Sequence, residues 1–135
     1  MSTIKFNSNK RKHSIECIEK PFHKNIDDYH NASITHSRFY KCSFIEINFN
    51  RAAVTGSVFE KCTFDNCNFN DADFEFCEFR ECEINIEIIS GCSFNNSNFI
   101  LSTLNKIKFI GCTFTGSFWE ESKINDINIE YSTLE

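Results

Sequence analysis

The sequence predicts an all-β solenoid whose chain turns a corner every five residues, and three observations carry that prediction. The first is a large apolar residue at every fifth position: Ile34, Phe39, Phe44, Phe49, Val54, Phe59, Phe64, Phe69, Phe74, Phe79, Ile84, Ile89, Phe94, Phe99, Leu104, Phe109, Phe114, Trp119, Ile124, Ile129 and Leu134, twenty-one slots without an exception. The second is a small residue two places earlier in each unit, from Ala32, Ser37 and Cys42 to Ser122 and Ser132, with only Ile47, Glu87, Ile107 and Ile127 departing. A period of five suits neither a helix of 3.6 residues per turn nor a flat strand of period two. It suits a chain that points two residues of each unit inward and three outward. The third observation is that Gly56, Gly91, Gly111 and Gly116 all fall two places after the large residue. That is where a type II turn demands a positive φ. Asn66 and Asn96 share the slot, and asparagine is the next most tolerant residue there.

At 135 residues the chain is one folding domain. Residues 1–33 lack the period, apart from Cys17 and Ala32 falling in phase. Thr3 to Asn7 alternates like a short strand, Lys10, Arg11 and Lys12 form a basic knot, and Pro21 interrupts the segment because it lacks a backbone donor. A repeat stack exposes apolar side chains and unpaired backbone at an open end. Residues 1–31 are therefore expected to cap the first coil, with residues 32–135 forming the repeats. No capping helix follows Leu134. Either the last coil stacks on a second copy of the chain, or the sequence ends early and Leu134 and Glu135 include a cloning remnant.

Cys17, Cys42, Cys62, Cys67, Cys77, Cys82, Cys92 and Cys112 share one phase of the period. Cysteine confined to one structural slot reads as a small buried residue, not as a disulfide framework or a zinc site, whose ligands must converge on a point. The segment Ile84-Asn85-Ile86-Glu87-Ile88-Ile89 breaks the rule by putting Glu87 in an inward slot. An unpaired buried carboxylate is expensive, so a locally reversed face that returns Glu87 to water is expected. The sharper alternative is an apolar contact patch around Ile86 and Ile88.

Units such as Cys62-Thr63-Phe64-Asp65-Asn66 and Cys67-Asn68-Phe69-Asn70-Asp71 resemble those of the pentapeptide-repeat proteins: a small residue, a polar one, Leu or Phe, then two variable positions. The resemblance runs from residue 32 to 134. It implies a right-handed quadrilateral β-helix of four units per coil and about five coils, in which residue i lies beneath residue i+20. Phe39, Phe59, Phe79, Phe99 and Trp119 would then stack on one face, and Phe49, Phe69, Ile89, Phe109 and Ile129 on another. The Phe-rich, Cys-containing units are similar to the branch that resembles B-form DNA in width and negative charge. Members of that branch bind type II topoisomerases such as DNA gyrase and protect against quinolones or DNA-targeting toxins. The resemblance implies a protein partner of that kind and no catalysis.

Charge narrows the partners further. Residues 34–135 carry eight Lys/Arg against fifteen Asp/Glu, a net of minus seven, while residues 1–33 carry six against four, a net of plus two. Direct nucleic-acid binding needs clustered cations, so the acidic body points to a basic partner instead. No run approaches the ~18 apolar residues of a membrane helix, and charges stand where a signal peptide has its apolar core; a cytoplasmic protein is expected. The candidate partner-binding surface is acidic: Glu60, Asp65, Asp71, Asp73, Glu75, Glu78, Glu81 and Glu83, spread around two adjacent coils. The alternative is an apolar scaffold surface at Phe76, Ile86 and Ile88, with Ile100, Leu101 and Ile110 as further exposed apolar residues. His13, His23, His30 and His36 lie toward the N-terminus and match no zinc signature. The repeats hold no other histidine, so no Ser-His or Cys-His pair can be built on them. No cofactor or metal is expected.

Overall fold

A five-residue period makes each unit one short strand and one corner. The computed structural model describes residues 11–13, 16–23 and 28–134, with the side chains of 11–13 and 23 left aside. From Ser33 onward each strand is three residues long and centred on the large apolar residue, as in Arg38–Tyr40 and Thr63–Asp65. So short a strand cannot fold back on itself and pairs instead with the coil above and the coil below. All the pairings are parallel, and Phe39, Phe59, Phe79, Phe99 and Trp119 face one another in steps of twenty. The result is an all-β, right-handed quadrilateral β-helix of about six turns.

Its four faces differ. Face I stacks Glu16–Ile18, Arg38–Tyr40, Val58–Glu60, Glu78–Arg80, Asn98–Ile100 and Phe118–Glu120. Face II stacks Pro21–His23, Ser43–Ile45, Thr63–Asp65, Glu83–Asn85, Thr103–Asn105 and Lys123–Asn125. Face III has a three-strand ladder of Ile88–Ser90, Lys108–Ile110 and Asn128–Glu130, and a bridge from Asn48 to Asn68 below it. Face IV pairs Arg11–His13 with Ser33–Thr35 and continues as single bridges through Ala53, Asp73, Ser93 and Thr113 to Thr133. Backbone bonds run both ways at each step: the Ile34 N–H donates to Ala53 O at 2.7 Å, and the Ala53 N–H donates to Ala32 O at 2.9 Å.

The interior is a set of aromatic stacks. On face I, Phe39 and Phe59 lie 4.9 Å apart at 6°, and Phe79 and Phe99 repeat that geometry. Face II stacks Phe22, Phe44 and Phe64 at 4.6 and 4.8 Å. Between faces the rings meet edge-on, as Phe59 and Phe64 do at 5.3 Å and 68°. Both arrangements satisfy the ring quadrupole.

The small inward slot has a further requirement. Cys62, Cys67, Cys82 and Cys112 donate their thiols to Phe39 O, Phe44 O, Phe59 O and Ile89 O at 3.2 to 3.3 Å. Ser102 bonds Phe79 O at 2.8 Å by the same step of twenty-three residues and also accepts from the Cys82 N–H. The slot therefore takes a small side chain, and where that side chain is Cys or Ser it also donates a hydrogen bond to the coil below; Ala32, Ala52 and Ala72 fill the slot without one. Cys42, Cys62, Cys67, Cys77, Cys82, Cys92 and Cys112 are free, buried thiols.

The structure corrects the sequence reading in three places. The rod has about six turns instead of five, because Arg11–His13, Glu16–Ile18 and Pro21–His23 form a coil of their own. That coil pairs with the next at an offset of twenty-two, two residues more than elsewhere, which hides it from a five-residue count. For the same reason Cys17 leaves the small slot: it faces Phe39 and occupies a large one. Tyr29, five residues before Ile34, is wholly buried and stacks on Phe49 at 5.0 Å, so the large series begins one slot earlier. The strand expected at Thr3 to Asn7 lies outside the described residues.

The third correction concerns Ile86, which is 3% exposed and belongs to the core, not to a surface patch. Every fifth residue from Asn31 to Tyr131 has a positive φ, with residue 86 the single exception. A left-handed backbone crowds a β-branched side chain, and here it would also have buried Glu87. Shifting the bend by one residue turns Ile86 inward, into the core that also holds Ile47 and Ile107, and leaves Glu87 in water. The expected reversal of this face is what the structure has.

Candidate protein-binding surface

Because twenty residues circle the rod once, carboxylates close in sequence are distributed around it. Glu60 and Glu78 lie on face I, Glu81 at the corner between faces I and II, and Asp65 and Glu83 on face II. Asp71 is at the corner between faces III and IV, while Asp73 and Glu75 flank the buried Phe74 on face IV. Some are already engaged within the chain. Glu60 pairs with Arg38 at 3.1 Å, and Glu78 with Arg80 at 3.5 Å. Exposed pairs of this kind contribute at most about 1 kcal/mol, and they cancel part of the negative field locally.

The structure brings two acidic groups together. On face II the Asn85 amide donates to Asp65 Oδ1 at 2.8 Å and to Glu83 Oε1 at 3.1 Å. Above it, Asn105 donates to Asn85 and Asn125 donates to Asn105, at 2.9 and 2.8 Å. This ladder was missed from sequence, although asparagine at intervals of twenty announces it. On face IV the Glu75 N–H donates to Asp73 Oδ1 at 2.9 Å, and Glu75 Oε1 accepts from Ser93 Oγ at 3.0 Å and from Asn95 Nδ2 at 3.3 Å. Burial raises the Asp73 carboxyl above its ordinary value, and the neighbouring Glu75 charge adds to the rise. The outward residues of face IV from Ser33 to Thr133 are Ser, Thr, Ala, Asn and this acid pair, with no Lys or Arg.

The apolar candidates do not form one patch. Phe76 is 64% exposed at the corner between faces IV and I, Ile88 is 48% exposed on face III, and Leu101 lies at the corner between faces I and II. Ile100 and Ile110 are half-buried. Of the histidines, His30 has both ring nitrogens engaged, with Nδ1 at 3.1 Å from Asn50 O and Nε2 at 3.0 Å from Asn31 Nδ2. The His36 ring lies over Gly56, while the side chains of His13 and His23 are outside the described residues.

The other conspicuous surface is the end of the rod. Phe22 and Tyr29 in the lowest coil are completely buried, whereas Ile124, Ile129 and Leu134 in the top coil are 51%, 42% and 60% exposed. With Trp119 and Ile127 they line a cavity of about 270 Å³.

Five-residue units, four to a turn, with inward Phe and Cys/Ser columns define a parallel β-solenoid. The chain belongs to the pentapeptide-repeat family: family models described as pentapeptide repeats match residues 31–83 and 88–116. The gap between the two matches falls where the bend shifts at Ile86. No curated protein matches the chain in sequence. Among solved structures, the pentapeptide-repeat protein Rfr23 from the cyanobacterium Cyanothece 51142 is similar over 93% of this chain and 88% of its own, at 12% identity and a TM-score of 0.50. A trypsin-treated form of QnrB1, a plasmid-mediated fluoroquinolone resistance protein, is similar over 93% of this chain and 85% of its own, at 15% identity and a TM-score of 0.50. At these identities the likeness is one of fold.

Proposed function

We propose that this chain is a non-catalytic, cytoplasmic protein-binding rod that engages a type II topoisomerase such as DNA gyrase in the place of DNA. The observation that carries the reading is the charge of the repeats. The body is net negative by seven, and face IV offers an acid pair without a neighbouring cation. A surface of that kind steers toward basic grooves and repels nucleic acid. The fold shared with QnrB1 supports it at the level of architecture.

A supercoiling assay with purified gyrase, with and without a quinolone and at two salt concentrations, tests the reading. Inhibition or drug protection is expected at low salt and should fall steeply as salt is added, because exposed charges are screened over ~10 Å at 0.1 M. Glu75→Lys combined with Glu78→Lys should weaken the effect at least tenfold. No effect at large excess over enzyme would remove gyrase as the target. The competing reading is an apolar scaffold; Phe76 and Ile88 are exposed but lie on different sides of the rod, so each would bind singly, and such binding would persist at high salt.

The exposure of Ile124, Ile129 and Leu134 motivates a second part of the proposal: a copy of the same chain covers them, end to end. Light scattering should then give twice the chain mass, and Ile124→Glu should return it to one. A wild-type chain that stays at single mass across micromolar concentrations would sink the dimer.

A further inference from the structure

The corner column between faces IV and I reads His36, Gly56, Phe76, Asn96, Gly116 from bottom to top, and all five have φ between 50° and 71°. Left-handed backbone suits Gly and Asn and disfavours a bulky side chain by roughly 1 kcal/mol. Phe76 is nonetheless there, with φ 59° and 64% of its surface in water. The residues above and below it do not cover it. Gly56 has no side chain, and Asn96 turns its amide over Gly116. Solvent exposure and backbone conformation both disfavour Phe at this corner, and asparagine, found at the same slot in Asn31, Asn66 and Asn96, would serve the fold better.

The surroundings say what would fit over it. Asp73 and Glu75 precede Phe76 on face IV, Glu78 follows on face I, and the outward positions of face IV between Ser33 and Thr133 carry no Lys or Arg. We propose that Phe76 is the anchor of a docking surface, inserting into an apolar pocket on a protein partner whose rim is lined with Lys or Arg. An exposed aromatic ringed by charge is the arrangement in which one side chain supplies much of the binding energy while the rim sets orientation and rate. The inference rests on the reading of the chain as a protein-binding rod and not on the identity of the partner.

The test has two arms. Thermal melts of the purified chain compare wild type with Phe76→Asn. The variant is expected to melt at the same temperature or higher, and a lower melting point would overturn the proposal by giving the ring a structural role. In the second arm, a phage-displayed random peptide library is panned on the immobilised wild-type chain, and affinities of the selected peptides are measured for wild type, Phe76→Asn and the Glu75→Gln, Glu78→Gln double variant. Selected peptides should combine apolar residues with Lys or Arg and lose at least tenfold affinity for Phe76→Asn at both low and high salt. The double variant should lose several-fold at low salt only. Failure to enrich any peptide, or a pool that binds wild type and Phe76→Asn equally, would overturn the anchor. Selection of such peptides with no effect on gyrase keeps the anchor and discards the topoisomerase. Gyrase inhibition that Phe76→Asn leaves intact does the opposite.

Discussion

The protein should unfold within one to two pH units above pH 9, as its buried thiols ionise. Burial pushes the Cys67 and Cys77 thiols up to about 12, and raises Cys92 and Cys112 as well. In the unfolded chain a thiol ionises near its ordinary value of 9.0. A folded value above the unfolded one gives stability that is complete below pH 9 and is lost as pH rises toward the folded value. Cys67 and Cys77 each withdraw about 1.4 kcal/mol per pH unit in that window, so the two together withdraw about 3 per unit and about 6 by pH 11, and Cys92 and Cys112 act in the same direction. Set against a total stability of about 5–15 kcal/mol for a domain, that is decisive. Circular dichroism between pH 8 and 11 should show a cooperative loss of β structure. Serine already occupies the same slot at Ser57, Ser97 and Ser102. Replacing all four cysteines with serine should therefore move the alkaline midpoint upward by at least one unit, and an unchanged midpoint would assign the transition to other groups.

Phe79→Ala is expected to cost about 3–5 kcal/mol, the range for removing a buried phenylalanine where the surroundings cannot collapse. Its ring touches Phe59, Phe64, Phe74, Phe94 and Phe99, with centroids 4.9 to 6.3 Å away. Each coil contacts only the coils beside it, so a hole in a middle coil uncouples the two halves of the stack. Urea unfolding should show a lower midpoint with reduced cooperativity. Phe118, 61% exposed on the outer side of face I, is the control. Phe118→Ala should change stability by no more than about 0.5 kcal/mol, and a loss comparable to that of Phe79→Ala would contradict the inward–outward assignment.

The fold was legible because one slot rule recurs from Ile34 to Leu134, and the corner glycines marked its phase independently. Gly56, Gly91, Gly111 and Gly116 all have a positive φ. The corner rule was nevertheless too narrow: Lys41, Glu46 and Phe76 adopt the same conformation. Hydrogen bonds from the coils on either side hold these corners, as when the Lys41 N–H donates to Glu60 O at 2.9 Å, so local preference decides only where it is strongest. Ile86 is such a place. The lowest coil was illegible for a different reason. Two extra residues between Phe22 and Tyr29 put Cys17 in one slot by counting and in another by contact, and only the ladder to Phe39 reveals it. For the candidate surface, the circling of the carboxylates followed from the coil length. Their partners did not, because Arg38 reaches Glu60 across coils while Arg80 turns to Glu78 on its own strand.

The step of twenty residues also makes the rod a vernier. Inserting one five-residue unit would leave every slot chemically correct yet rotate everything above it by a quarter turn, carrying surface features from one side to the next. Only a block of twenty residues lengthens the molecule while keeping each vertical partner in place. Growth by whole coils therefore conserves the interface, and growth by single units redirects it, so length and aim can be varied separately in the same scaffold.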